Sequence, residues 1–438
     1  MLVSDLFEVL SEYHLCLSCM GRQVGMVGSG LTNLERGISL LEHKYFLDDS
    51  KKKDFITVQE KIGQDYFVFI DIDESTSSHL PGGSDCNLCL GLLTEKENFV
   101  DIAISAVSDY SFSTFEIGSI VDKQILELEN KIQESLDENL GESIKTQINR
   151  EVGILISQKM DIRLERPNPE ITILIDTLYG VAEPTVRSLF IEGRYVKLDR
   201  TIPQTRWPCR KCRGRGCSSC NETGQTYPES VQSLIAKPFL ERSLSISDSF
   251  HGMGREDIDA RMLGDGRPFI LELKTPKKRT LDLDSLQSSV NDENEGRVSI
   301  SNLSLVDKKR VRTLKNTACD KLYRVKISSV PPFSKEKLKK GAAALTGTVV
   351  EQRTPKRVSH RRSDLIRKRG IRDVDIVDFS DDHAVLEICA EHGTYIKELV
   401  SGDEGRTEPN LSGLVDSECK VERLDVVQLY LAETEVKK

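Results

Sequence analysis

The segment "GREDIDA" (residues 254–260) carries the side chains with the most distinctive chemistry. Three carboxylates, Glu256, Asp257 and Asp259, follow Arg255 within four residues. Residues two apart share one side of an extended segment, so Asp257 and Asp259 would face the same way. The charge of Arg255 favours the ionised form of a nearby carboxyl, and an ionised, positioned aspartate can act as a nucleophile or a base. On these residues alone, three solvated loop charges are the simpler interpretation.

Paired cysteines predict two metal sites. The chain has 11 cysteines, and eight of them form four C-x-x-C pairs. In a chain of 438 residues without a recognisable export signal, this pattern favours metal ligation over a disulfide framework. Four thiolates close a tetrahedral structural zinc site and leave no position for catalysis, although unliganded thiols or a redox pair are the alternative. The predicted zinc ligands are Cys16, Cys19, Cys86 and Cys89 in the first site and Cys209, Cys212, Cys217 and Cys220 in the second.

Charge is distributed unevenly along the chain. The net charge of −9 divides into about −15 over residues 1–170 and about +6 over residues 171–438, so a polyanionic partner is expected to bind the second half. No run of about 18 apolar residues occurs, which excludes a membrane-spanning protein from the expected classes. The first residues also lack a basic region followed by a long apolar stretch, and we therefore expect a cytoplasmic protein.

Cations are concentrated in residues 353–372, which contain nine Lys and Arg residues and one acidic residue. Such a density suits a phosphate backbone, since the cations would repel each other without a polyanion; a solvated charged face is the alternative. A weaker signal lies in residues 193–207, where Tyr195 and Trp207 are interleaved with cations and could stack on bases. The residues predicted to bind RNA are Arg353, Lys356, Arg357, Arg361, Arg362, Arg367, Lys368 and Arg369.

The elements that position these groups form two predicted domains of the α+β class. In the first, residues 1–178, residues 1–50 are expected to be helical, residues 65–73 and 170–176 to be strands, and residues 122–149 to form one long amphipathic helix. The second domain, residues 185–438, is interrupted by the four-cysteine insertion at residues 209–224. It combines strands and helices without regular alternation, which is typical of an antiparallel or mixed sheet.

Further elements of the second domain follow from local patterns. Gly264-Asp265-Gly266 predicts a hairpin between two short strands, and the polar residues 276–298 predict a flexible loop. Helices are expected at residues 229–240 and 394–402. The remaining predicted strands are residues 188–198, 321–328, 345–352 and 383–390.

Two stretches resemble one enzyme family. "GREDIDARMLGDGRPFILEL" is similar to the catalytic segment of pseudouridine synthases, which share a Gly-Arg-x-Asp element, and "EHGTYIKELVSGDEGRTEPNL" is similar to their Gly-Thr-Tyr-Ile-Lys element. The combination most resembles the archaeal and eukaryotic tRNA pseudouridine synthases that carry an N-terminal THUMP domain. This resemblance implies a cofactor-free isomerisation of uridine at positions 54 and/or 55 of the tRNA T loop, with the base flipped into a pocket. The THUMP-type domain would hold the acceptor end of the tRNA.

The resemblance also implies roles for individual residues. Asp257 corresponds to the catalytic aspartate, with Asp259 as its rival, and Lys397 to a basic residue that pairs with this carboxylate. Tyr323 corresponds to the active-site tyrosine, which can stack on the base and move a proton, although a half-buried strand tyrosine is the alternative. The implied catalytic residues are Asp257, Tyr323 and Lys397, and the implied substrate-binding residues are Tyr323, Tyr395, Ile396, Leu424 and Arg255.

Two other functions stay open from the sequence. A non-catalytic zinc-containing RNA-binding protein would keep the cysteines and the cations but would not use Asp257. Another THUMP-bearing enzyme, a methyltransferase or a thiouridine synthase, would need a nucleotide-binding motif. Neither G-x-G-x-x-G after a strand nor G-x-x-x-x-G-K-[ST] occurs, so no nucleotide cofactor is expected.

Overall fold

A computed structural model divides the chain into two units, residues 1–187 and 188–438. The predicted strand at residues 65–73 and the side chains of Arg361 and Arg362 lie outside the described residues. Among the described residues, no helix is long and apolar enough to cross a membrane. The structure describes residues 10, 13–27, 29–46, 86–136, 140–332, 334–361, 363–380 and 383–431.

The first unit is built on a four-stranded sheet with the order β2-β1-β3-β4. Strand β1 is parallel to both β2 and β3, whereas β4 is antiparallel to β3. Alternate residues of β3 face the core, and Ile171, Ile173 and Ile175 are fully buried, as the sequence predicts for this strand. The strands are β1 (Thr114–Ile120), β2 (Arg163–Leu164), β3 (Ile171–Asp176) and β4 (Val181–Val186). The helices are α1 (Leu17–Arg22), α2 (Asn33–Phe46), α3 (Lys96–Ala106), α4 (Lys123–Ser135) and α5 (Ile144–Met160).

The prediction of one long helix over residues 122–149 is wrong, because two helices occupy this region. Helix α4 ends at Ser135, and Ser143 begins α5 by accepting a hydrogen bond from the backbone N–H of Thr146. Serine is a favoured N-cap because its hydroxyl satisfies a backbone donor that has no partner inside the helix. The apolar spacing continues across both helices because both bury a face in the same core.

The second unit contains a ten-stranded mixed sheet with the order β13-β10-β11-β12-β9-β14-β7-β5-β8, in which β6 also pairs with β7. This confirms the predicted α+β class. All strand pairs are antiparallel except β14 and β7, which are parallel. The strands are β5 (Leu189–Lys197), β6 (Ser247–Gly252), β7 (Arg261–Lys274), β8 (Val298–Val306), β9 (Cys319–Val330), β10 (Val349–Arg353), β11 (Ile366–Phe379), β12 (Ala384–Ala390), β13 (Thr407–Glu408) and β14 (Glu418–Leu431).

The helices of the second unit lie between these strands in sequence. Short 3-10 helices occur at Ser218–Cys220 and Lys356–Arg361, the first of them in the predicted four-cysteine insertion. The α-helices are α6 (Val231–Ser243), α7 (Leu283–Glu293), α8 (Lys308–Asn316), α9 (Lys335–Leu345), α10 (Ile396–Ser401) and α11 (Leu411–Val415).

Two local predictions in this unit are wrong. Gly264-Asp265-Gly266 does not form a hairpin: it lies inside the continuous strand β7, where both glycines have positive φ and the register against β5 shifts between Tyr195 and Lys197. A glycine in a strand often marks such an irregularity. The expected loop at residues 276–298 contains α7, which Asp282 caps and which buries Leu286 and Val290, four residues apart.

Candidate active site

A pocket of about 540 Å³ opens beside the centre of the large sheet. Strands β9 and β14 and the segment 253–260 supply its walls, and the start of α10 supplies another. On β9, Lys321, Tyr323 and Val325 alternate toward the buried face, so Lys321 and Tyr323 line the same pocket. The lining residues that bear on function are Trp207, Arg255, Glu256, Asp257, Asp259, Arg267, Lys315, Lys321, Tyr323, Arg357, Tyr395, Ile396, Lys397 and Leu424.

Two cations hold Asp257 in this pocket. The Nη1 of Arg357 donates a hydrogen bond to Asp257 Oδ1 at 3.1 Å, and the Nζ of Lys397 lies 3.5 Å from Asp257 Oδ2. Lys397 donates its hydrogen bonds to Asp259 instead, at 2.8 Å and 3.0 Å. Lys397 is therefore near Asp257, as expected, but it is shared with the second aspartate, and the hydrogen-bonded partner of Asp257 is an arginine.

The exposure of the two aspartates differs. The Asp257 side chain is 29% exposed and the Asp259 side chain is 61% exposed. Partial burial opposes ionisation of Asp259, but the hydrogen bond and the charge of Lys397 outweigh it and lower its pKa below the ordinary value. Both aspartates line the pocket, and Asp259 is the one nearer to solvent.

Arg357 is itself fixed by a second carboxylate. Its Nε donates to Glu398 Oε1 at 2.6 Å, and its Nη2 lies 3.3 Å from Glu398 Oε2. Although burial opposes the charged form, the hydrogen bonds and charges of Glu398 and Asp257 raise the pKa of Arg357. The sequence places Arg357 among the RNA-binding cations; its ion pair with Asp257 joins residues 100 positions apart, and no local pattern signals it.

A buried polar network supports the segment that carries Asp257. Glu256 is fully buried and lies 2.9 Å from the guanidinium of Arg267, which is only 1% exposed. The hydroxyl of Tyr195 donates to both oxygens of Glu256, at 2.7 Å and 2.8 Å, and burial raises its pKa well above the ordinary value. Gln204 donates to this hydroxyl at 2.8 Å. Glu256, which the sequence suggests is a loop charge, is therefore a core residue.

The same network also binds the backbone of residues 253–260, the segment that carries Asp257. Arg267 donates to the carbonyl of Met253 at 2.8 Å, and Gln204 donates to that of Gly254 at 3.0 Å. The buried Lys197 donates to the carbonyls of Ile258 and Ala260, at 2.6 Å and 2.8 Å. The weak signal in residues 193–207 thus includes buried supports of the acidic segment.

The other residues that the resemblance names also line the pocket. Tyr323, Ile396 and Leu424 are buried, with exposed fractions of 7%, 3% and 7%, and all three line the pocket. Tyr395 also lines it, and the buried amide of Gln352 fixes its backbone through hydrogen bonds of 2.8 Å and 2.9 Å. Arg255 is exposed at the rim, with its guanidinium carbon 5.1 Å from the ring centre of Trp207.

The cations of the basic stretch are mostly neutralised within the fold. Arg353 pairs with Asp364 at 2.5 Å, Lys368 with Glu351 at 3.1 Å, and Arg369 with Glu391 at 3.8 Å. Lys356 pairs with Glu404, and Arg367 donates to the hydroxyl of Thr354 at 3.0 Å. Asp364 within the stretch and carboxylates from other segments offset the mutual repulsion, so the density of cations does not by itself require a polyanion.

The eight paired cysteines form two clusters. In each, the four sulfur atoms lie within 4.8 Å of one another. The Sγ atoms of Cys16 and Cys89 are 3.9 Å apart, and those of Cys217 and Cys220 are 3.7 Å apart. Zn–S bonds of about 2.3 Å place the sulfurs of a tetrahedral site about 3.8 Å apart, so both clusters fit a zinc ion. The first cluster is buried, whereas Cys217 and Cys220 of the second are half-buried.

The family assignment rests on matches along most of the chain. The family model for the Pus10 C-terminal domain matches residues 190–429, and the model for the archaeal Pus10 THUMP domain matches residues 99–176. The chain belongs to the Pus10 family of pseudouridine synthases. The predicted resemblance and the predicted isomerase class are therefore confirmed.

Two curated Pus10 proteins are similar over nearly their whole length. The tRNA pseudouridine synthase Pus10 of Methanothrix thermoacetophila is 37% identical, over 98% of this chain and 94% of that protein. The Pus10 of Methanocaldococcus jannaschii is 38% identical, over 97% of this chain and 94% of that protein. The chain is also similar to a crystal structure of a Cbf5-Nop10-Gar1 complex, over 54% of this chain and 58% of that chain, at 12% identity and a TM-score of 0.30.

Proposed function

We propose that this Pus10 protein isomerises uridine to pseudouridine in the T loop of tRNA, at position 54 and/or 55, with Asp257 as the catalytic carboxylate. The observation that supports this most directly is the placement of Asp257 at the wall of a pocket, between Arg357 at 3.1 Å and Lys397 at 3.5 Å. Fixed cations orient a carboxylate, which a nucleophile requires.

The pocket supplies what the isomerisation needs. The target base would be flipped out of the T loop and held between Ile396 and Leu424, with the ring of Tyr323 stacked on it. The reaction breaks the bond from N1 to the ribose, turns the base, forms a bond from C5 to the ribose, and moves the C5 proton to solvent while N1 gains one. Because the atoms and electrons balance within the nucleotide, no cofactor is required for catalysis.

Tyr323 is suited to hold and transfer a proton. Burial raises the pKa of its phenol above the ordinary value, although the charge of Arg267 opposes this shift. The hydroxyl is therefore protonated at physiological pH and can donate a hydrogen bond to a base carbonyl; to accept the C5 proton it would have to pass its own proton on. Lys397 would orient Asp257, and Arg255 and Tyr395 would contact the nucleotides next to the target.

The wider assignments are part of the same proposal. The predicted RNA-binding cations of residues 353–369 would contact the tRNA backbone where their pairing leaves a free N–H, as with Arg367. The first domain, residues 1–178, would bind the acceptor end of the tRNA. A zinc ion in each cysteine cluster would stabilise the fold without taking part in the reaction.

Tritium release from tRNA labelled at uridine C5 tests the catalytic assignment. We expect Asp257→Asn to abolish release while tRNA binding persists, because the substitution removes the charge and keeps the shape. Asp259→Asn is the matched control and should retain measurable activity. Full activity of Asp257→Asn, with loss in Asp259→Asn, would move the catalytic role to Asp259. No release by the unmodified protein would instead favour a non-catalytic RNA-binding protein, and mapping the modified positions would decide between 54 and 55.

A further inference from the structure

Helix α8, with the sequence KKRVRTLKN, carries a basic face. Val311 and Leu314 pack into the core, and Leu314 is only 2% exposed. Lys308, Arg312 and Lys315 are all exposed. Their spacing of four and three residues places them on one side of the helix, as a stripe about 10 Å long.

The cations of α8 differ from those of residues 353–369 in their pairing. Arg310 is neutralised by Glu192, at 2.6 Å and 2.7 Å. Within the described part of the chain, Lys308, Arg312 and Lys315 form no ion pair and no side-chain hydrogen bond. The stripe is therefore a positive surface whose charge the fold does not offset.

Helix stability accounts for only one of the three cations, since Lys315 lies in the last turn, where the helix dipole favours a positive charge. Like charges three or four residues apart destabilise a helix by about 0.2–0.5 kcal/mol per pair. Lys308 also lies at the first position of α8, where the positive end of the helix dipole disfavours a cation. A bound polyanion would reverse the sign of both effects, since it would neutralise the stripe.

The stripe leads to the active site. Lys315 lines the same pocket as Asp257, and so does Thr317 just beyond the end of the helix. A cation at the pocket wall, followed by two more along one helix face, provides a path for a strand that enters the pocket with one nucleotide. Consecutive phosphates of such a strand would meet consecutive cations.

We propose that α8 binds the phosphate backbone of the RNA strand that carries the target uridine, through Lys308, Arg312 and Lys315. The proposal rests on the proposed function in one respect, which is that the substrate is RNA. It adds a binding surface that is separate in sequence from residues 353–369 and that ends at the catalytic pocket.

The test is the triple variant Lys308→Gln, Arg312→Gln and Lys315→Gln, assayed for tRNA affinity at several salt concentrations. Each phosphate contact contributes about 0.7 to 0.9 to the slope of log K against log salt, so losing three should reduce the slope by about 2 to 3. The matched control is Lys339→Gln, Lys340→Gln and Lys420→Gln, which removes three exposed cations that do not line the pocket. The control should keep a slope within about 1 of that of the unmodified protein.

Activity separates this proposal from the proposed function. The double variant Lys308→Gln and Arg312→Gln should raise KM at least about tenfold at 0.15 M salt and leave kcat within about twofold, because neither residue lines the pocket. An unchanged slope in the triple variant, with pseudouridine still formed, would overturn the role of α8 alone. If neither the unmodified protein nor the triple variant forms pseudouridine, the proposed function alone is overturned. Circular dichroism checks the fold, and helix content should not fall, since the substitutions remove repulsion.

Discussion

Removing the carboxylate of Glu256 should destabilise the second unit strongly, because its partner would stay buried. Arg267 is 1% exposed and lies 2.9 Å from Glu256, so Glu256→Ala leaves a guanidinium in the core without a counter-charge. Breaking a buried pair in this way costs about 3–5 kcal/mol. The hydroxyl of Tyr195 loses both of its short acceptors as well, but this loss is part of the same network and is not added separately.

The loss of stability in Glu256→Ala can be measured by tryptophan fluorescence. The chain has a single tryptophan, and Trp207 lies in the second unit, so its emission follows the unfolding of that unit. For a unit of roughly 250 residues, each kcal/mol lowers Tm by about 2–4 °C, and we expect a decrease of about 6–20 °C. Glu256→Gln should be milder, because the amide oxygen still accepts the hydrogen bond from Tyr195.

A double-mutant cycle identifies the cause. If the loss reflects an uncompensated charge, Glu256→Met combined with Arg267→Met should be far less destabilising than the sum of the single changes, with a coupling of at least about 2 kcal/mol. Additivity within about 0.5 kcal/mol would refute the reasoning, since it would mean that the two side chains act independently. Glu256→Gln should also lower kcat more than it raises KM, because Asp257 follows Glu256 directly and a misplacement of about 1 Å can cost about 100-fold in rate.

Two further predictions concern burial and metal. Burial, together with the charge of Arg267, lowers the pKa of Lys321 from 10.5 to about 8. Between these two pH values the unfolded chain binds the proton and the folded chain does not. The free energy of unfolding should therefore rise with pH by up to about 1.4 kcal/mol per pH unit. Urea titrations should show that Lys321→Met removes this rise. Elemental analysis should find two zinc ions per chain, and Cys86→Ser or Cys217→Ser should each leave one. Cys86→Ser should lower stability more, because its cluster is buried; two ions retained in either variant would contradict the ligand assignment.

The features that could be predicted from the sequence are those that depend on the types and spacing of residues close together in the chain. The strand at residues 170–176 follows from alternation, and the two cysteine clusters follow from paired spacing, even where the pairs lie 70 residues apart. The Gly-Arg-x-Asp element singles out Asp257, which lines the pocket, while its catalytic role stays a prediction. The single long helix was a wrong prediction because apolar spacing persists across two helices that share one core, whereas the cap at Ser143 is decided by local backbone geometry.

Ion pairing could not be predicted in this way. The nine cations in residues 353–372 show that this stretch is positively charged. They do not show which carboxylates pair with them, and these include residues as distant as Glu404 and Asp257. Helix α8 has fewer cations, and among the described residues they meet a single carboxylate partner, Glu192. Which cations stay unpaired depends on the fold. Residues 353–372 give the strongest basic signal in the sequence, yet among the described residues they are more neutralised than helix α8.

The ion pairs around Asp257 make its two carboxylate oxygens different. Glu398, Arg357, Asp257, Lys397 and Asp259 alternate in sign along one line of contacts. Because Arg357 is held by Glu398, its Nη1 meets only Oδ1, and Lys397 directs its hydrogen bonds to Asp259. Oδ2 of Asp257 is left with an ionic neighbour at 3.5 Å and no hydrogen bond from either cation. Within the proposed function, this oxygen keeps its lone pairs available while the other one fixes the orientation of the carboxylate.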